Sequence, residues 1–238
     1  MFVHGWTCDH TTLAPQIAGL SGTNSCVALD LRGHGSSGRP ESSAWRIEDL
    51  AADVVFVIES LGLAPVVLVG HSMGGPVAYE AAAQARAQVA ALALLHPMPL
   101  RHTPDSRSLF ASVAEGLRSP EMHDLTRQAV IDTAMFTDDS DPDMRSGLRE
   151  LMLRADADTA TRCWEALVKY ESRHEPLTGL PAQVVSGERA ANEDALVEAL
   201  LPGAQSVHLS TGSFVQLEEP ERVTGLIADL IARSRSAI

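Results

Sequence analysis

Residues 66–75 read V-V-L-V-G-H-S-M-G-G, and this stretch decides the fold. A β-branched run ends in Gly70-His71-Ser72-Met73-Gly74, and an alanine-rich segment over 76–87 follows at once. The pattern predicts a buried strand, a sharp turn at Ser72 and a helix. Such a turn strains its central residue and draws strand and helix together. Only small residues then fit two places before and two places after it, and both places hold glycine. The strain lifts the Ser72 hydroxyl clear of the sheet, and the helix points its positive N-terminal end at the same spot. The alternative is an ordinary glycine-rich turn. Its placement between a buried strand and a helix makes this G-x-S-x-G more specific than a chance match.

Working outward, 238 residues with 45% hydrophobic content suffice for one large α/β domain. A net charge of −13 argues against nucleic-acid binding, and no basic run opposes that reading. Cys8, Cys26 and Cys163 lack metal-ligand spacing, and their scatter suggests reduced thiols in a cytoplasmic protein. No signal peptide is apparent, and the apolar runs are too short to span a bilayer. A homodimer is left open, and no metal or organic cofactor is implied.

Taken in order, residues 1–3 read as the tail of a strand and 4–8 as a turn. A helix is expected over 13–20, a buried strand over 25–31, a glycine-rich loop over 32–38 and an amphipathic helix over 48–61. The Ser72 strand and helix come next, then a buried strand over 89–95. This alternation implies a mostly parallel sheet with helices on both faces, and ligands at the carboxyl rim of its strands. His4, Ser72 and His96 all fall at strand ends. Strand signals then stop, and helices are expected over 109–117, 125–135, 143–153 and 159–170. Residues 97–180 therefore read as a helical cap inserted into a core made of 1–96 and 181–238, roofing the rim against water. The acidic turn over 137–143 reads as a solvated loop rather than a metal site. Strands are expected over 183–186 and 206–209, and helices over 192–200 and 220–233.

Four stretches now carry a family resemblance: F-V-H-G-W at the start, L-D-L-R-G-H-G-S-S-G after the second strand, G-H-S-M-G-G at the turn, and F-V-Q-L-E-E-P-E-R-V near the end. The chain resembles the α/β-hydrolase superfamily over nearly its whole length, and looks most like its small-molecule esterase, lactonase and C–C hydrolase branch. The S-G-E-R stretch at 186–189 also looks like the branch that includes a menaquinone-pathway lyase. The resemblance implies an α/β-hydrolase fold, acyl transfer on a small-molecule substrate, and Ser72 as nucleophile. It implies an oxyanion hole from the N–H groups of Trp6 and Met73. Trp6 either lines the acyl pocket or simply packs.

Two positions depart from the family pattern. The usual acid stands three residues after a glycine, here Gly187, and that position is Ala190. The usual histidine follows a glycine, here Gly212, and that position is Ser213. A serine hydroxyl does not titrate near neutrality and cannot act as general base. Of the other histidines, His96 is the candidate substitute base. His71 points away from its neighbour Ser72, His4 and His34 read as structural, and His208 lies within a strand. His10, His102, His123 and His174 read as solvated surface. Glu188, Glu193 and Asp194 lie near the vacant acid position without a histidine to orient, Glu218 and Glu219 read as helix-start charges, and Cys8 reads as packing. Only three residues precede His4, which implies either a start further upstream or a shortened strand. Three readings follow: a serine hydrolase for small esters or lactones with weak or absent activity, a non-hydrolytic lyase or cyclase, and a non-catalytic small-molecule binding protein.

Overall fold

The computed structural model describes residues 1–40, 45–188 and 194–236. Six strands form one parallel sheet: β1 (Phe2–Val3), β2 (Ala28–Leu29), β3 (Val66–His71), β4 (Val89–Leu95), β5 (Ala182–Ser186) and β6 (Gln205–His208), in the order β2-β1-β3-β4-β5-β6. The alternation that predicted a parallel sheet is therefore observed. The core follows the twofold period of the strands. Leu68, Leu92 and Leu94 face one helical layer, with Leu50, Val54 and Ile58 of α2 (Ile47–Ser60) and Val77 and Ala81 of α3 (Gly74–Gln84). Val69, Ala91, Ala93 and Leu95 face the other layer, with Leu20 of α1 (Ala14–Leu20) and the C-terminal helix over Pro220–Ser236.

Between β4 and β5 stand four helices: α4 (Pro104–Arg118), α5 (His123–Ala134), α6 (Pro142–Arg154) and α7 (Ala157–Lys169). Three carry side-chain caps that the sequence supplies: Thr103, Asp141 and Asp156 each accept an N–H at the start of α4, α6 and α7. Asp141 caps α6 and Asp143 lies in its first turn, while Asp138 and Asp139 lie in an exposed turn before it, and no group of metal-binding side chains occurs among the described residues. After β5 come α8 (Asp194–Leu200), α9 (Val215–Glu218) and α10 (Pro220–Ser236).

The expected seven-residue strand over 25–31 is a correction: only Ala28–Leu29 form ladder pairs. β2 is the sheet edge, and its one partner, β1, is itself two residues long. A strand cannot pair beyond the length of its neighbour.

Candidate active site

Ser72 follows β3 with φ 52°, in the left-handed region that L residues rarely adopt. The turn is over-determined by its surroundings. The Ser72 N–H donates to Leu95 O at 3.0 Å, and Ser72 O accepts from Gly75 N–H at 2.9 Å and Met98 N–H at 3.0 Å. The glycines are required by contact: a Cβ on Gly70 would meet Gly74 O at 2.1 Å, and one on Gly74 would meet Val3 O at 2.3 Å. Ser72 is 5% exposed, and its hydroxyl has no partner among the described residues.

Beside it, the turn after β1 is held by His4. The His4 Nδ1–H donates to Gly5 O at 2.8 Å, and Nε2 accepts Leu31 N–H at 2.9 Å. Burial, reinforced by neighbouring His34, pushes the His4 pKa down to about 3, so the ring is neutral. Trp6 follows, 1% exposed, its indole N–H bonded to Ala160 O at 2.8 Å and its ring edge-on to Trp164 at 4.9 Å. Trp6 stands behind the cavity wall that Trp164 forms, which favours packing over pocket lining. Among the described residues, neither the Trp6 nor the Met73 backbone N–H has an acceptor in the protein.

A cavity of about 590 Å³ opens over Ser72. His96 and Ser213 share its floor, while Phe110, Val113, Val130 and Trp164 form its walls. Leu109 and Leu125, both largely exposed, stand at its lining from α4 and α5. Among the described residues, no Asp, Glu, Lys or Arg lines it.

His96 also has positive φ, 41°, at the end of β4, and its N–H donates to Val185 O at 2.6 Å. Its ring hydrogen bonds define the tautomer. The Gly187 N–H, which can only donate, points at Nδ1 from 3.1 Å. Nδ1 is therefore the acceptor and Nε2 carries the proton. Nε2–H then donates to Ser213 Oγ at 3.1 Å, and the Ser213 hydroxyl donates onward to Ala134 O at 3.1 Å. Burial, and secondarily the nearby His71, pushes the His96 pKa down to about 4. As placed, both ring nitrogens are occupied, and the basic one faces the Gly187 backbone.

His71 points away from the cavity, as its adjacency to Ser72 implied. Its Nε2–H donates to Ser213 O at 2.9 Å, while Nδ1 is buried without a partner. Burial lowers its pKa to about 4. Ser213 is fixed besides by its N–H to Met135 O at 2.8 Å. Glu218 also serves this loop, accepting Gly212 N–H at 2.9 Å and the Ser140 hydroxyl at 2.9 Å, a role its reading as a helix-start charge missed. Ala190 and Glu193 lie outside the described residues, and Glu188 is exposed. Three of the histidines read as solvated surface are half-buried and bonded: His102 to Leu167 O at 2.9 Å, His123 to Ala157 O at 3.2 Å, and His174 to the buried Glu80 at 2.7 Å. His10, exposed, pairs with Asp30. Burial raises the Cys8 thiol far above its ordinary pKa, which fits a packing role. Sequence reasoning missed Phe110 and Trp164; the signal for Trp164 was the apolar face of α7, where Ala160, Cys163, Trp164 and Leu167 are buried at helical spacing.

The alpha/beta hydrolase family profile matches residues 1–226. The chain belongs to this family. Across 98% of its length it is 25% identical to the sn-1-specific diacylglycerol lipase ABHD11 of Mus musculus, covering 80% of that protein. A shorter match, 36% identical over 35% of the chain, is to 2-(acetamidomethylene)succinate hydrolase of Mesorhizobium japonicum, of which it spans 30%. The chain thus spans about a third of the length of this curated relative and of two esterase or lipase relatives, at 35% and 34%. Among solved structures, the enol-lactonase of Burkholderia xenovorans superposes with a TM-score of 0.84 at 26% identity, over 97% of this chain and 90% of that one. A thermophilic esterase of Thermogutta terrifontis gives the same TM-score, 0.84, at 24% identity over 98% and 89%, and supports the fold alone. No helix among the described residues is long and apolar enough to cross a membrane.

Proposed function

We propose that this alpha/beta hydrolase binds small ester or lactone substrates and transfers their acyl group to Ser72, at a rate far below that of a complete serine triad. The observation that carries the reading is the Ser72 hydroxyl, unpartnered, on a residue with strained backbone and open to an apolar cavity. In this reading the substrate carbonyl carbon meets Ser72 Oγ. Its oxygen turns to the Trp6 and Met73 N–H groups, which stabilise the charge that develops on attack. Helices α4–α7 act as a cap that excludes water from the reacting bond.

The slow step is removal of the Ser72 proton. His96, the candidate base, offers Ser72 no lone pair while Nδ1 holds the Gly187 N–H. Ser213 is spoken for by Ala134 O. Loss of the serine or histidine of a complete triad costs about 10⁶ in kcat, and oxyanion stabilisation with binding retains about 10³–10⁴ over water. Activity of that residual order is expected. A second reading, a non-catalytic binding protein, draws on the same occupied ring nitrogens of His96. The three separate cysteines, none in a disulfide, support a reducing, cytoplasmic setting.

The test is p-nitrophenyl butyrate hydrolysis by the chain, by Ser72→Ala, and by Ser213→His with Ala190→Asp. Slow turnover lost in Ser72→Ala and raised about 10²-fold or more in the double variant supports the reading. Turnover indifferent to Ser72, with no gain in the double variant, refutes it.

A further inference from the structure

Helix α7 carries Trp164 into the cavity wall, and side-chain bonds tie that helix to the body around the sheet along its length. Its start is held by Arg39, which pairs with Asp156 and Asp158 in exposed ion pairs. Its middle is held by the Trp6 indole N–H on Ala160 O. Its end is held by Glu80 of α3, the helix that follows Ser72. Glu80 is 4% exposed, and a carboxylate so buried is costly unless donors meet it. His174 Nε2–H donates to Glu80 Oε1 at 2.7 Å, and the Gln84 amide donates to the same oxygen at 3.1 Å. That leaves Oε2 for the Tyr170 hydroxyl, at 3.3 Å. Burial foremost, and the Glu80 charge after it, push the Tyr170 phenol well above its ordinary pKa, so the hydroxyl keeps its proton and donates. Tyr170 is itself buried and ends α7, its N–H donating to Leu167 O. The segment beyond it is joined to the segment leaving β4, where Ser172 N–H donates to Leu100 O at 3.0 Å.

We propose that Glu80 is a positioning residue: by holding the Tyr170 hydroxyl at the end of α7, its Oε2 fixes where Trp164 stands in the wall of the cavity over Ser72. An apolar contact of the same volume would hold α7 to α3 as firmly, since a buried carboxylate gives back in desolvation much of what its bonds gain. A bond aimed at one oxygen adds direction: it admits one register of α7 along α3. Trp164 passes that register on, because its indole N–H donates to Phe110 O at 3.0 Å and its ring stacks on Phe110, a second residue of the wall. The placement of Trp164 requires no reaction. Its consequence for turnover rests on the ester reading.

The test is fluorine NMR of the chain labelled with 5-fluorotryptophan, in which Trp6, Trp45 and Trp164 each give one signal, assigned by replacing each in turn. The variants are Tyr170→Phe, which removes one oxygen and keeps the ring, and Glu80→Gln. In both, the Trp164 signal is expected to shift or broaden, while that of Trp45, which faces Gly33 beside Thr159 at the start of α7, stays in place. KM for p-nitrophenyl butyrate is expected to rise about threefold to tenfold, the worth of one hydrogen bond, with kcat changed by less than about twofold, because Trp164 lines the binding wall rather than the reacting atoms. An unmoved Trp164 signal in Tyr170→Phe with a native circular-dichroism spectrum, equal movement of all three signals, or a fall in kcat at unchanged KM overturns the proposal. Tyr170→Phe decides alone where Glu80→Gln does not fold. A Trp164 shift together with inertness of every variant toward esters leaves it standing and overturns the ester reading alone. Ester turnover at Ser72 with an unmoved Trp164 signal does the reverse.

Discussion

His96 meets Ser213 through its protonated ring nitrogen: Nε2 stands 3.1 Å from the Ser213 hydroxyl, while Gly187 N–H holds Nδ1 from the other side. A histidine is present on the cavity floor, and its basic lone pair is turned toward the backbone. The adjacency of positions 96 and 213 suggests how to restore a base. A carboxylate at 96 would retain the Gly187 N–H and accept from an imidazole at 213. His96→Asp combined with Ser213→His is expected to raise kcat/KM for p-nitrophenyl butyrate by about 10²-fold, with each single change giving far less. Steady-state kinetics on the three variants check this.

The glycines around Ser72 set a limit that packing alone imposes. A methyl on Gly74 would enter the space of Val3 O and His4 O, both backbone atoms that hold the turn bearing Trp6. Gly74→Ala is expected to cost about 2–3 kcal/mol and to lower the thermal midpoint measurably by calorimetry.

Trp6 ties the turn after β1 to α7 through its bond to Ala160 O. Trp6→Phe retains most of the buried ring and removes the indole N–H from Ala160 O, which lies within α7 and keeps its helical bond. A loss of about 1–2 kcal/mol in urea unfolding is expected. A loss much below this would mean that the helical bond alone satisfies Ala160 O.

Three buried histidines make stability depend on pH. His4, His71 and His96 are held neutral mainly by burial, with pKa values lowered to about 3, about 4 and about 4. In the unfolded chain each titrates near 6.5, so between pH 6.5 and about 4 the unfolded state binds protons that the native state refuses. Their contribution is complete above pH 6.5 and is lost progressively as the pH falls through that window. The expected loss from pH 7.5 to 4.5 is on the order of 8 kcal/mol, and urea midpoints across that range measure it. A flat profile would show that the rings gain protons without unfolding.

Local patterns were enough to place most of the fold. The run at 89–95 and the glycines around Ser72 act through near neighbours, and the strand and turn form where those residues predict. What the sequence hid depends on partners far along the chain. β2 stops at Leu29 because its neighbour β1 offers only Phe2 and Val3 for pairing. The state of His96 depends on a backbone N–H 91 residues away and a serine 117 residues away, neither of which leaves any mark around position 96. Trp164 reaches the cavity because α7 folds back over the rim, and its helical spacing announced only that it would be buried.

The carboxyl rim of the sheet is laced from strand to strand: Ser72 N–H to Leu95 O, His96 N–H to Val185 O, Leu209 N–H to Ser186 O. Every one of these ties is main chain, so none is lost when a rim side chain is exchanged. The side chains at 72, 96 and 213 behave as interchangeable fittings on a fixed mounting. In the proposed reading, reactivity is therefore held in the identity of a few side chains rather than in the shape, and exchanging them does not require the chain to find a new fold.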